Sequence, residues 1–489
     1  MAPLDLVIIA LYFAGTLGLG LWVTRGQRTS GDYFLGARDL PAWAILLSIV
    51  ATETSALTVI SIPGLGARGD LTFLQLTFGY LIGRITVAAW LLPGYFTGQQ
   101  ETAYARLESR FGVGTRRLIS ANFLVTRFLG DSVRIFAGAI PLALVTGWSV
   151  PTSILTMGLV TLAYTWAGGL KAVVWADVIQ LIVYLAGGLA ALGIAWHLAG
   201  GAVPALAKAA AAGKLHLLNP AWSFTQTYTL AGGVIGGALL SAASHGTDQL
   251  IVQRLLATRS LRDARIALVG SGLVIILQFL LFLLIGSAIW ASGFAPDGMR
   301  SDLIFPTFIV HQLPPGVSGL MVAGILAAAM STISSSINAL ASSVTHDFYA
   351  TWSGRTDPHH LLGIGRLFTA FWGFALIGGA LAFWAWASLD TPVVVLALSI
   401  ASVTYGALLG TYVLAGRWAR ARGRDVVRGT TATLAVMLVV IFARPLAARG
   451  LSWLEPLGSL AWPWYVPLGT ALTLLIGILS SLTAPSEVA

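Results

Sequence analysis

The chain has 489 residues, of which 57% are hydrophobic and only 10% charged, with seven histidines and no cysteine. That composition excludes an ordinary soluble globule, and the missing thiols exclude disulfide frameworks and thiolate metal centres. The formal net charge of +9 raises the question of a nucleic-acid partner, which the placement of the basic residues answers in the negative.

A helix needs ~20 mostly apolar residues to cross a bilayer. By that measure the sequence predicts spans near 4–24, 41–66, 71–95, 118–146, 151–169, 171–198, 229–254, 264–292, 316–345, 364–387, 392–415, 429–447 and 463–484. Thirteen spans make an all-α membrane protein, one transmembrane domain over 1–489 with no charged or low-complexity segment that reads as a soluble module. The opening MAPLDLVIIALYFAG lacks a basic flank and a small-residue cleavage site, so it reads as a retained helix. The Ala- and Gly-rich connection at about 199–228 is expected along the interface. Trp462, Trp464 and Tyr465 sit where belt aromatics belong.

Basic residues set the orientation. On one set of connections and span ends fall Arg25, Arg28, Arg38, Arg106, Arg110, Arg116, Arg117, Lys171, Arg254, Arg259, Arg262, Arg265, Arg355, Arg366, Arg417, Arg420, Arg422, Arg424 and Arg428. The other set holds only Arg68, Lys208, Lys214, Arg300, Arg444 and Arg449. Nineteen against six places the N-terminus outside and the C-terminus in the cytoplasm of a cell-membrane protein. The basic excess is thus a topology signal, with membrane lipid and not nucleic acid as its partner.

Two spans are interrupted by polar residues. The second carries Thr52, Glu53, Thr54, Ser55 and Thr58, then Ser61, Pro63 and Gly64; the seventh carries Ser241, Ser244, His245, Gly246, Thr247, Asp248 and Gln249. Broken helices at matching places in two halves point to a transporter site between inverted repeats. Spans two to six and seven to eleven, residues 41–198 and 229–415, would form those repeats.

The ninth span is crowded with hydroxyls. On a helix Ala328, Ser331, Thr332, Ser335 and Asn338 share one face. Uncharged oxygen donors suit an alkali cation that must be held loosely, whereas isolated serines in membrane helices mostly bond back to carbonyls one turn earlier. Charged groups inside a bilayer cost several kcal/mol unless paired, hydrated or ion-bound. Glu53 reads either as an aid to a cation or a proton carrier, or as a cap on freed backbone N–H groups. Asp177 reads as a cation ligand or a salt-bridged anchor. Arg134 either pairs with Asp131 three residues away or meets a substrate carboxylate. Arg84 and Arg127 read as structural partners of acids or of backbone carbonyls. Gln75 reaches either the central cavity or a neighbouring helix, and His245 shares a helical face with Asp248.

At this point the chain resembles the sodium/solute symporter family of sugar, proline, iodide, sialate and vitamin carriers. The stretches that carry the resemblance are SGDYFLGARDLPAW (30–43), TAYARLESRFG (102–112), YTWAGGLKAVVWADVIQ (164–180), TDQLIVQRLLATRSLRDAR (247–265) and AAAMSTISSSINALASSVTHDFY (327–349). The resemblance implies the leucine-transporter fold, five plus five inverted helices with one extra N-terminal and two extra C-terminal ones. It also implies a main Na+ site at the carbonyls of Ala51, Thr54 and Ala328 and the hydroxyls of Ser331 and Thr332. A second sodium, held in some members, would fall at Asp177, Ser334 and Ser335, with Glu53 where proline carriers have an aspartate important for sodium. The sugar-binding pattern is not matched, because Thr58, Thr72, Gln75 and Ser244 stand at its glutamine, acidic, serine and aromatic-gate positions. Arg134 lies about one turn from the arginine that sialate carriers use for a carboxylate.

The expectation is a sodium-coupled secondary symporter importing a small organic solute, with an organic anion such as a carboxylate or acidic sugar as the class the arginine favours. Solute contacts are expected from Ser55, Thr58, Gln75, Arg134, Ser241, Ser244 and His245. The alternatives are a proton-coupled carrier using Glu53 and an intramembrane enzyme built on His245 and Asp248. A sensor feeding a kinase is disfavoured, since no output domain follows the last span.

Overall fold

The computed structural model describes residues 2–23, 27–98, 100–386 and 393–483; Arg25 and the predicted span ends at 24, 387, 392 and 484 lie outside them. Among the described residues the secondary structure is helical, apart from one isolated bridge between Leu40 and Thr258. Helix α1 is Pro3–Val23. The second predicted span is two helices, α2 (Ala42–Glu53) and α3 (Ala56–Arg68), bent by 68°. Thr54 is extended at the bend, and the Ser55 hydroxyl caps α3 by accepting from the Thr58 N–H. Short hydroxyl side chains offer the backbone this alternative to a continuous helix, which is why the break falls here.

Helix α4 (Leu74–Thr86) runs on through tighter and wider turns to Tyr95. Helices α5 (Ala105–Thr146) and α6 (Val150–Leu198) each turn at a glycine, Gly112 with φ 82° and Gly169 with φ 52°. At Gly169 a side chain would also meet the Tyr33 carbonyl oxygen at 2.4 Å, so both backbone angle and space require glycine. The 49 residues of α6 make ~73 Å of helix, more than twice a ~30 Å hydrocarbon core, and so two passes. The second broken span follows: a π turn at Gly232–Gly236, then α7 (Gly237–Gly246), then α8 (Gln249–Leu256) capped by the Asp248 carboxylate. The remainder is α9 (Leu261–Ala291), α10 (Ser301–Gln312), α11 (Val317–Ser343), α12 (Pro358–Trp386), α13 (Val393–Arg417), α14 (Gly423–Ala448) and α15 (Tyr465–Thr483).

Eight described helices are long and apolar enough to cross a membrane singly, and the bent pair α2–α3 makes a ninth. The second pass of α6, the α5 segment after Gly112, the broken 232–256 segment and α13 complete the thirteen. Helix α11 is the hub: 83% of its most apolar stretch is buried inside the protein, against 28% for α12. It runs along α6, and α1 is tied to its start by Asp5, whose Oδ1 accepts from the Gly316 and Gly319 N–H groups and the Ser318 hydroxyl, each at 2.8 Å. A carboxylate on those orphan donors both caps the helix and meets the positive end of its dipole. Helices α3 and α9 touch backbone to backbone, since a side-chain carbon on Gly286 would lie 1.8 Å from the Pro63 carbonyl oxygen. Small residues permit this approach in membranes. The 199–228 connection contains a helix, Ala202–Ala211, and Lys208 in its last turn and Lys214 just after it cap other helix ends: Lys208 Nζ donates to the Ala291 carbonyl and Lys214 Nζ to that of Ala67, both at 2.7 Å.

Candidate functional site

The bend between α2 and α3 faces α11. Helix α2 stops at Glu53, so the Ala51 carbonyl has no helical N–H four residues on, and the Thr58 N–H that would serve Thr54 goes to Ser55 instead. Across from the bend, Ser331 and Thr332 are buried on α11, and the Thr52 and Ser335 hydroxyls lie 3.1 Å apart. The Ser331 hydroxyl donates to Asp177 Oδ1 at 2.6 Å. Its hydrogen is thereby committed, which leaves the oxygen lone pairs for a cation. Thr332 donates back to the Ala328 carbonyl at 3.3 Å and Ser334 to that of Ser331 at 3.1 Å, the back-bonding expected of membrane serines and threonines.

Asp177 is fully buried beside a buried cation. Its Oδ2 accepts from Ser48 at 2.5 Å and from Arg254 at 3.1 Å, and Arg254 also donates to Ser48, Ser335 and the Leu250 carbonyl. Of the two readings of Asp177, the salt-bridged anchor is the contact present. Four segments meet in this knot: α2, α6, α8 and α11. Glu53 is likewise paired, by the fully buried Arg84, which also donates to Ser271 at 2.6 Å. Its charge is therefore balanced inside the protein. His245 Nε2 stands 3.6 Å from Glu53 Oε2, while its Nδ1 bonds the Ser244 hydroxyl at 2.8 Å. His245 and Asp248 do not converge: Asp248 pairs with Arg127 and accepts from the Tyr405 hydroxyl at 2.9 Å.

Beside the bend lies a cavity of about 270 Å³. Ser55, Thr58, Arg134, Ser241, Ser244 and His245 all line it, as do Thr52 and Glu53. Gln75 does not: its amide donates to the Thr72 carbonyl and accepts from the Asn219 N–H at 3.0 Å, so it tethers the 199–228 connection. Arg134 Nη1 bonds Asp131 Oδ1 at 2.9 Å, but the guanidinium is 24% exposed and the carboxylate 1%. The cation thus faces the cavity and the anion stands behind it, held also by Ser336. One wall is aromatic: Phe73 stacks on Phe279 with centroids 5.0 Å apart and meets Tyr228 edge-on at 5.4 Å, with Tyr80 and Trp462 nearby. Sequence reasoning missed these rings, whose spacing looks like that of packing or belt aromatics. It also missed Arg254 as the partner of Asp177, 77 positions away.

The family model described as the sodium:solute symporter family matches residues 33–431. The human sodium/iodide cotransporter is 30% identical over 451 residues, 89% of this chain and 69% of its own length. The sodium/sialic acid symporter NanT of Aliivibrio fischeri is 26% identical, over 98% of this chain and 93% of its own. A solved, substrate-bound, outward-open structure of a Na+-coupled sialic acid symporter superposes with a TM-score of 0.85 at 25% identity, covering 99% of both chains. Mhp1, a nucleobase-cation-symport-1 transporter, shares the fold alone, with a TM-score of 0.55 at 17% identity over 92% of this chain and 93% of its own.

Proposed function

The chain belongs to the sodium:solute symporter family and is a sodium-coupled membrane carrier of a small solute; from that premise we propose that its solute is an organic anion whose carboxylate meets Arg134. The observation that carries this reading is the partly exposed Arg134 guanidinium on the cavity wall, with its partner Asp131 buried behind it. A planar fork of donors matches a carboxylate bidentately. Serine and threonine hydroxyls of α3 and α7 would take hydrogen-bonding groups of the solute, and the Phe73–Phe279 wall its apolar part. The sialate carriers among the relatives favour an acidic solute on independent grounds.

We assign the coupling sodium to the carbonyls of Ala51, Thr54 and Ala328 and the hydroxyls of Ser331 and Thr332. Bound there, it would tie the bend of α2–α3 to α11 and stabilise the solute-ready state. Coupling demands that sodium bind that state more tightly than the other, since equal affinity shifts nothing. The membrane potential supplies ~2.3 kcal/mol per charge per 100 mV. Residues 41–198 and 229–415 would act as the two repeats that rock about the site, with the N-terminus outside and the C-terminus in the cytoplasm. A second sodium at Asp177, Ser334 and Ser335 would have to displace Arg254 from the carboxylate. Neutralised by Arg84, Glu53 is a poor proton carrier, which argues for sodium over protons.

The test is sodium-driven uptake into proteoliposomes, competed by carboxylates and by their neutral amides. Arg134→Ala should weaken the carboxylates at least about tenfold more than the amides, the loss of one charged hydrogen-bond pair. Equal losses for both would overturn the anion assignment.

A further inference from the structure

A second cleft, of about 460 Å³, opens away from the solute cavity, where the turn after α4, the start of α5 and the end of α13 meet. Its polar lining is Thr97, Gln100, Arg106, Ser109, Arg110 and Tyr412, whose hydroxyl donates to the Ala103 carbonyl. Each arginine is steered by a single backbone acceptor: Arg106 Nη1 donates to the Leu91 carbonyl at 2.8 Å and Arg110 Nη2 to that of Trp418 at 2.6 Å. A guanidinium has five N–H donors, so both keep most of their donors for a ligand. Among the described residues no acidic side chain lines the cleft. Outside the lining, the last residue of α13, Arg417, lies over the Trp90 ring, 5.3 Å from its centroid.

We propose that this cleft is a binding site for the phosphodiester headgroup of an anionic phospholipid. Three considerations select that ligand. The cleft sits where two membrane-crossing helices, α4 and α13, end beside the segment that leads into α5, so a headgroup entering it would keep its acyl chains in the bilayer. Its charge is uniformly positive, and arginine forks fit phosphate oxygens bidentately. Finally, it lies on the side of the molecule whose connections carry most of the arginines, the side that faces the anionic leaflet when basic residues are retained inside. A basic pocket between helix ends on that side is the geometry that captures lipid headgroups, whereas a purely solvated basic face would lack the enclosed volume. The three elements it would bridge include α13 and the α4 end, which belong to different halves of the molecule, so an occupied cleft would brace them against each other.

The experiment uses the whole protein in nanodiscs of phosphatidylcholine with increasing phosphatidylglycerol, read by native mass spectrometry of retained lipid and by melting temperature. Phosphatidylglycerol should be retained in preference to phosphatidylcholine and should raise the melting temperature. Arg110→Gln should weaken that retention about fivefold, and Arg106→Gln with Arg110→Gln about twentyfold or more, a factor of about five per arginine. Arg110→Lys, which keeps the charge and guards against a folding artefact, should fall between parent and Arg110→Gln. Equal retention of the two lipids by the parent chain would overturn the proposal, as would unchanged phosphatidylglycerol retention in the double variant. Inorganic phosphate at millimolar concentration reproducing the stabilisation without anionic lipid would overturn the lipid assignment.

Discussion

Removing the charge of Asp177 while keeping its shape gives the sharpest test of how the centre of the molecule is held. In the parent chain the carboxylate and the Arg254 guanidinium are both essentially unexposed, 3.1 Å apart, and share Ser48 as a common partner. Asp177→Asn keeps an oxygen for only one of the Ser331 and Ser48 hydroxyls, which donate to different carboxylate oxygens, and leaves Arg254 as an uncompensated buried cation. Breaking one side of a buried pair costs ~3–5 kcal/mol, whereas replacing both partners by apolar groups of similar size is often close to neutral. Asp177→Asn should therefore lower the unfolding free energy by about 3 kcal/mol or more, and adding Arg254→Met should recover most of that loss. Reversible unfolding in mixed micelles with rising SDS, followed by tryptophan fluorescence, measures both. A single variant as stable as the parent would refute the buried-pair reasoning, and so would a double variant no more stable than the single.

The remaining predictions are briefer. If two sodium ions travel, Asp177→Asn should also reduce the sodium Hill coefficient of uptake, while a coefficient near one in the parent chain would remove the second site. Gly169→Ala should cost at least about 2 kcal/mol, because φ is positive there and the new carbon meets the Tyr33 carbonyl; an unchanged melting curve would contradict the close approach. Asp32 is desolvated, yet hydrogen bonds from the Arg28 N–H and from the Thr29 hydroxyl and N–H, with Lys171 nearby, hold its carboxyl below its ordinary 3.8. A depressed value contributes stability that is complete above pH 3.8 and is lost as pH falls through the folded value. Acid melts of Asp32→Asn should then show a shallower loss below that pH than the parent, and superimposable acid limbs would contradict it.

Much of the architecture was legible because membrane physics is severe. A lipid-facing helix must be apolar along its length, so the spans and the Ser/Thr-rich bend at 54–55 announced themselves. The Arg134–Asp131 contact was legible as a local pair three residues apart. The Asp177–Arg254 pair was not, because nothing in one sequence reports which of many arginines a buried carboxylate will meet across the fold. Gln75 illustrates the reverse difficulty: its position one face-turn from the cavity is a matter of helix rotation, and the 199–228 connection captures it at Asn219. The wall of Phe73, Tyr228 and Phe279 joins three distant segments, each of which looked like ordinary packing by itself.

The caged alkali ion is the proposal on which transport coupling depends, and binding of radioactive sodium to the purified protein measures it without reference to any solute. Ser331→Ala with Thr332→Ala should reduce saturable sodium binding at least about tenfold while the protein remains folded by melting temperature; full-affinity sodium binding in that folded double variant would contradict the site.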